Sequence, residues 1–339
     1  MNIYASCGIT AAISFVIGIV LFKIFIPLLR KVKLGQKILE IGPSWHKAKE
    51  GTPNLGGVIF IVSMLVALAV AVTVILPIWE YGSYAKGIIV FVLFALSQAV
   101  IGFIDDYVKL FKKRTKGLSA TQKLILQFLT TGIYLFVNAY FLDADTAINT
   151  PWGELELGVF YYIAMLLAIV YIINCANLTD GIDGLAGSIA FIICIMLVIF
   201  GIHTSNLISS LYYLTFDYFA ISVSALVGAL LAFLVFNFHP AKIFMGDTGS
   251  LFLGGFIVGA VMFTNNEFVL LPISCIWIIE GLSVVLQVFS FKVFGKRIFK
   301  MSPIHHHFEK CGWSEVKIVA VFSLVTAAFA ALSYYIMYF

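Results

Sequence analysis

The sequence predicts an all-α integral membrane protein of about ten transmembrane helices, with a short extracytoplasmic hairpin and a polar cleft facing the cytoplasm. Only 11% of its 339 residues are charged, 62% are hydrophobic, and the mean hydropathy is +1.05. So little polar surface cannot cover a water-soluble globule. The apolar residues also gather into ten runs, each near the ~20 residues that cross a bilayer core. Finally, Lys and Arg crowd onto alternate loops, which orients the chain because cytoplasmic loops collect positive charge.

The first run, 5–28, lacks the basic leader of a signal peptide and exceeds its apolar core in length, so it reads as a retained membrane helix. Arg30, Lys31, Lys33, Lys37, Lys47 and Lys49 follow it and mark the cytoplasm. The second run is 55–78. The third, 87–104, has only Lys86 on its outer flank and ends in Asp105-Asp106, with Lys109, Lys112, Lys113, Arg114 and Lys116 beyond. After the fourth, 121–141, comes the longest outer loop, carrying Asp143, Asp145, Glu154 and Glu156. There Ala147 to Val159 alternates around Pro151-Trp152-Gly153, which fits a hairpin or an irregular polar loop.

The fifth and sixth runs, 158–176 and 185–202, flank Asn174, Asn177, Asp180 and Asp183; the seventh and eighth, 216–236 and 250–264, flank Asn237, His239 and Asp247. The ninth, 268–291, holds Glu280, where a charge costs ~2.5–3.5 kcal/mol on insertion scales and demands a partner or a proton. Glu280 reads as proton handling or a structural break beside Gly281, well away from the cytoplasmic polar cluster. Phe291 to Met301 then places Lys292, Lys296 and Lys300 on one helical face, as a surface-lying basic helix or as a plain positive-inside flank. The tenth run, 316–338, follows His305-His306-His307. An even number of spans puts both termini outside. With no long linker or repeat, residues 1–339 read as one polytopic membrane domain. The five cysteines show no CxxC spacing, and neither disulfide nor zinc is expected.

Every polar cluster falls on the cytoplasmic side. Asp105, Asp106, Asp180, Asp183 and Asp247 brought together would repel unless cations intervene. A hard divalent ion such as Mg2+ suits them, since it binds one or two carboxylates and completes its shell with water and substrate phosphates. A lone Asp-Asp pair is ordinarily a solvated helix end. Here, however, Asp180-Gly181-Ile182-Asp183-Gly184 and Gly246-Asp247-Thr248-Gly249 also set carboxylates in glycine-rich turns where backbone N–H groups can approach phosphate. Lys49, Lys109, Lys116 and Lys123 can neutralise a diphosphate, although each alone also fits a positive-inside residue. Adjacent histidines point apart on regular structure, so His305, His306 and His307 read as donors to phosphate or sugar rather than as zinc ligands.

HKAKEGTPNLGG, GFIDDYVK with TKGLSATQK, NLTDGIDGLAG, FNFHPAKIFMGDTGSLFLGG, EGLSVVLQVFSFK and SPIHHHFEKCGW together resemble, in order, the motifs of the phospho-N-acetylmuramoyl-pentapeptide transferases. These belong to the wider polyprenyl-phosphate N-acetylhexosamine-1-phosphate transferases. Asn54 and Leu55 depart from the family's Thr and Met. The resemblance implies transfer of phospho-N-acetylmuramoyl-pentapeptide from its UDP carrier to undecaprenyl phosphate, releasing UMP, in a bacterial plasma membrane. It implies ten helices, a cytoplasmic active-site cleft, a magnesium requirement, a homodimer, lipid contact and no nucleic-acid partner. By motif, Asp105 and Asp106 correspond to the pair acting on the lipid phosphate and Asp247 to the magnesium ligand. Asn177, Asp180, Asp183, Phe244 and Gln287 match the nucleoside side of the cleft, His305 and His306 match histidines facing it, and Lys49, Lys123 and Asn237 match polar site positions. Direct attack by the lipid phosphate and a covalent aspartyl intermediate both fit. Rival expectations are a UDP-N-acetylglucosamine enzyme, against which the histidine motif argues, and an ion-coupled transporter, which would place its carboxylates near the midplane.

Overall fold

The computed structural model describes residues 2–31, 49, 51–76, 82–111, 117–142 and 144–338. The expected charges Lys33, Lys37, Lys47, Lys112, Lys113, Arg114, Lys116 and Asp143 lie outside them. The protein is an all-α integral membrane protein, and ten helices among the described residues are long and apolar enough to cross a bilayer.

Helix α1 (Ile3–Lys31) buries Ser6, Cys7, Thr10, Ser14, Gly18, Phe22 and Ile26, a stripe at helical spacing. Helix α2 (Gly56–Val70) continues through a π turn, Ala71–Ile75. Helix α3 (Lys86–Phe111) carries the Asp pair near its end. Helix α4 (Ala120–Phe141) opens with a capping box: Ser119 Oγ accepts from Gln122 N and Gln122 Oε1 from Ser119 N, at 3.2 and 2.9 Å. The alternating stretch forms the expected hairpin, with β1 (Ala147–Thr150) antiparallel to β2 (Gly153–Glu156) and Thr150 opposite Gly153.

Helices α5 (Val159–Thr179), α6 (Leu185–Leu207), α7 (Tyr213–Asn237) and α8 (Gly246–Phe263) follow. In their most apolar stretches α7 and α8 are 83% buried and α1 and α4 only 22%, so the former make the centre and the latter face lipid. In lipid, close helix contact depends on small residues because water supplies no hydrophobic drive. Gly102 of α3 accordingly lies against the Asp247 backbone at the start of α8, where any Cβ would collide. That crossing brings the Asp pair to the α8 N-terminus.

The ninth span starts later than its hydropathy indicates. Glu267–Val269 and Leu270–Ile273 are short turns, and α9 runs over Cys275–Phe294. The surface-lying basic helix over 291–301 does not form. Gly295 adopts φ 65°, a left-handed cap that glycine takes without strain, and ends α9 after Lys292. The chain then folds back: Gln287 Oε1 accepts from Ile298 N and Phe299 N at 3.0 and 2.9 Å, and Gln287 Nε2 donates to Phe299 O at 2.9 Å. A seven-residue helix, α10 (Ile304–Lys310), carries the three histidines, and α11 (Glu315–Tyr338) is the last span.

Candidate active site

Asp105, Asp106 and Asp247 each turn a carboxylate oxygen into one space, those atoms lying within 4.8 Å of one another. Asp106 is committed to the start of α8. It accepts from Thr248 N at 2.9 Å, Thr248 Oγ1 at 2.7 Å and Asp247 N at 3.2 Å, and so meets N–H groups that the helix itself leaves unpaired. Asp105 Oδ1 accepts from Leu118 N at 2.7 Å. Asp105 Oδ2 pairs with Lys109 Nζ at 2.5 Å and lies 3.7 Å from Lys123 Nζ.

Asp247 is held from both sides. Lys109 and Lys123 reach its Oδ2 at 2.9 and 2.7 Å, and Asn177 Nδ2 donates to its Oδ1 at 2.9 Å and to Ser250 Oγ at 2.7 Å. An open pocket of about 330 Å³ adjoins the cluster, lined by Asp105, Lys109, Lys123, Leu124, Asn174 and Asn177 among others. The cations separating these carboxylates are thus lysines in the first instance. Asp180, in the turn between α5 and α6, lies near enough for the charges of Asp247, Asp106 and Asp183 to act on it. Burial first, then those charges, push its carboxyl up to about 7.

With Asp105, Asp106, Asp180 and Asp247 all ionised, two lysines leave two negative charges, the complement of one divalent cation. The donors of the compact trio Asp105, Asp106 and Asp247 are all oxygen, so the group fits a hard cation. A second trio, Asp183, His239 and Glu315, is also compact. Its centre is taken by Lys49, whose Nζ lies 2.8 Å from Asp183 Oδ1 and 2.7 Å from Glu315 Oε2. Asp183 Oδ2 accepts from Ala241 N at 3.0 Å and lies 3.1 Å from His239 Nδ1.

The expectation that Glu280 stands away from the polar cluster is overturned. His305 Nδ1 lies 3.0 Å from both Glu280 carboxylate oxygens, and both residues are fully buried. A carboxylate accepts only, so it fixes the hydrogen on Nδ1. Nε2 then turns to Gly181 of the Asp180 turn, against which a Cβ would collide. The fold-back after α9 lowers α10 onto the Glu280 turn, which hydropathy alone does not reveal. The expectation that the histidines point apart holds only for His307, whose Nδ1 accepts from Lys300 N at 3.1 Å; the His305 and His306 rings lie together, centroids 4.1 Å apart, with His306 Nδ1 2.6 Å from Glu309 Oε2.

Three expected site residues serve the frame. Asn237 Oδ1 accepts from Gly184 N at 3.0 Å and its Nδ2 donates to Ile243 O at 2.8 Å, joining the two glycine-rich turns. Phe244 pairs by backbone with the stretch before α2, donating to Pro53 O and accepting from Gly56 N, both at 2.8 Å. Gln287 holds the fold-back after α9. Glu315, Thr248 and Ser250 are the partners sequence reasoning missed. Glu315 had one signal, a carboxylate at the edge of an apolar run; the two hydroxyls had none.

The glycosyl transferase family 4 model matches residues 88–265, which contain Asp105, Asp106, Asn177, Asp180, Asp183 and Asp247. The chain is 42% identical over 329 residues to the phospho-N-acetylmuramoyl-pentapeptide-transferase of Bacillus subtilis (strain 168), covering 96% of each. It is 41% identical over 324 residues to that of Clostridium perfringens (strain SM101 / Type A), covering 95% of this chain and 94% of that one. This chain belongs to the phospho-N-acetylmuramoyl-pentapeptide-transferase family. As a phospho-N-acetylmuramoyl-pentapeptide-transferase family member it is matched over nearly its whole length, well beyond 88–265. From outside that core, Lys49 and Glu315 meet Asp183 and His305 meets Gly181.

Proposed function

We infer that the protein transfers phospho-N-acetylmuramoyl-pentapeptide from UDP-N-acetylmuramoyl-pentapeptide to undecaprenyl phosphate, giving UMP and the first lipid-linked peptidoglycan precursor. Near-full-length identity of about 40% to relatives of that name carries the reading. The Asp105–Asp247–Lys123 cluster supplies chemistry to match.

The reaction joins an oxygen of the lipid phosphate to the sugar-bearing phosphorus of the donor. The bond from that phosphorus to UMP breaks, and its electron pair leaves with UMP. Such transfer depends on aligned reactants and neutralised charge. Asp247, with Asp105 and Asp106 beside it, would hold a magnesium ion, which when bound offsets the charge of the diphosphate and departing UMP. Lys109 and Lys123 serve the same charge from the protein side. Asp105 lines the pocket and is the group to orient the lipid phosphate or take its proton. Asn177, Asp180, Asp183, His305 and His306 make up the donor side, framed by Lys49, Asn237, Phe244 and Gln287.

The chain works as one membrane domain in a bacterial plasma membrane, its site at the cytoplasmic face and both termini outside. Arg30, Lys31, Lys292, Lys296 and Arg297 gather at the carboxylate end and Asp145, Glu154 and Glu156 at the other, which supports that sense. The resemblance supports a homodimer, and the apolar acceptor enters between helices.

The test is transfer from radiolabelled UDP-N-acetylmuramoyl-pentapeptide by purified protein with magnesium, with chelator, and with Asp247→Asn. Product requiring both metal and Asp247 is expected. Product only from UDP-N-acetylglucosamine would move the protein to the sister reaction, and none from either donor would overturn the reading.

A further inference from the structure

The described end of the stretch before α2 meets the start of the last span through one ion cluster. Lys49 Nζ bridges Asp183 Oδ1 at 2.8 Å and Glu315 Oε2 at 2.7 Å, and the same Glu315 oxygen accepts from Asp183 N at 3.1 Å. His239 Nδ1 lies 3.7 Å from that oxygen. Lys49, Asp183 and Glu315 side chains are 15, 2 and 11% exposed, dry enough for charge pairing to count. Glu315 is itself well placed. Ser314 O accepts from Ile318 N at 3.0 Å and Ser314 Oγ from Lys317 N at 3.3 Å, so Glu315 sits in the first turn of α11, where a helix favours negative charge.

A lysine is a point charge on a flexible stem and sets a ligand only if something sets the lysine. Asp183 alone leaves Lys49 one anchor. Glu315 adds a second, 266 residues away in sequence, and pins the Asp183 backbone with the same atom. We propose that Glu315 is a positioning residue for the donor side of the site: it holds the Lys49 ammonium and the Asp183 turn in the arrangement that receives the nucleotide diphosphate. This rests on the function inferred above.

Two measurements test it. In the substrate-free protein, amine-directed labelling of Lys49, read by mass spectrometry, should rise several-fold in Glu315→Ala and Glu315→Gln. In transfer assays Glu315→Ala should raise KM for the UDP donor about tenfold with KM for the lipid phosphate changed less than about twofold. Lys49→Met with Glu315→Ala should lose less than the sum of the two single variants, because they share the Lys49–Glu315 contact while Glu315 alone also supports Asp183 N. Glu315→Gln keeps an acceptor for Asp183 N and separates charge from backbone support if Glu315→Ala fails to fold. Unchanged labelling, equal loss toward both substrates, or additive loss in the double variant would each overturn the proposal. Labelling needs no substrate. A wild-type protein inert toward this donor would therefore strike the functional reading and leave the labelling result standing.

Discussion

Asp106 Oδ2 accepts from both the backbone N–H and the hydroxyl of Thr248, at 2.9 and 2.7 Å, and so caps α8 from the end of α3. The neighbouring Asp105 instead accepts from Leu118 N at 2.7 Å and pairs with Lys109. The two halves of the Asp pair therefore have different work despite adjacent positions. Asp106→Ala strips the first turn of α8 of its acceptor and should cost about 1–3 kcal/mol. Thermal unfolding should show a larger loss for Asp106→Ala than for Asp105→Ala, whose main effect should be on turnover; the reverse ranking would refute the division.

Lys123 and Asp247 meet at 2.7 Å with side chains 17 and 19% exposed. Removing one partner from such a pair strands the other, at a cost of up to about 3–5 kcal/mol, here reduced by partial solvent contact and by Lys109. Lys123→Met and Asp247→Asn should each destabilise, and the double variant should lose less than their sum. Strict additivity in a double-mutant cycle would show that the pair does not couple.

Magnesium should stabilise the folded protein and chelation reverse it, because the carboxylates repel less with the ion bound. At a concentration of about 100 times its dissociation constant the gain is about 2.7 kcal/mol. The Tm response to added magnesium should be lost in Asp247→Asn. A response of undiminished size in that variant would put the ion elsewhere.

Asp180 yields a pH dependence. Its carboxyl is pushed up to about 7, against about 3.9 in an unfolded chain. The folded state binds the proton more tightly, so this group's contribution to stability falls as pH rises between about 4 and about 7 and is constant above. The Tm of metal-free wild type should therefore drop relative to Asp180→Asn across that window. Magnesium on the neighbouring carboxylates should shrink the drop. Parallel curves for the two proteins would contradict the shift.

Glu280 and His305 are buried partners on α9 and α10. Glu280→Gln keeps an acceptor for Nδ1–H, whereas Glu280→Leu leaves it unpaired at about 1–3 kcal/mol. The Leu variant should unfold at the lower temperature and exchange amide hydrogens faster over 304–310. Equal behaviour of the two variants would show that the hydrogen bond is idle.

Hydropathy and charge made much of this legible beforehand. Ten apolar runs became ten spanning helices, and Ala147 to Glu156 became a hairpin, because period and length are local properties that neighbouring residues carry together. Two local readings failed where a distant partner intervenes. Lys296 and Lys300 share a helical face with Lys292 on paper, but Gly295 stops the helix and Gln287 takes over the backbone beyond it. Glu280 looked isolated because its partner follows in the chain only after that fold-back.

The sequence by itself determined the membrane class, the number of spans and the kinds of side chain at the polar end, since the transfer cost of each residue is its own property. Tertiary structure decided what each polar group does. Asp105 and Asp106 are adjacent and chemically identical, yet one faces Lys109 and the other caps a helix 142 residues onward. Likewise Glu315 joins Lys49 only because α11 closes beside the turn between α5 and α6. Hydrogen bonds and ion pairs act over a few ångströms, and which distant groups come that close is set by how the helices pack.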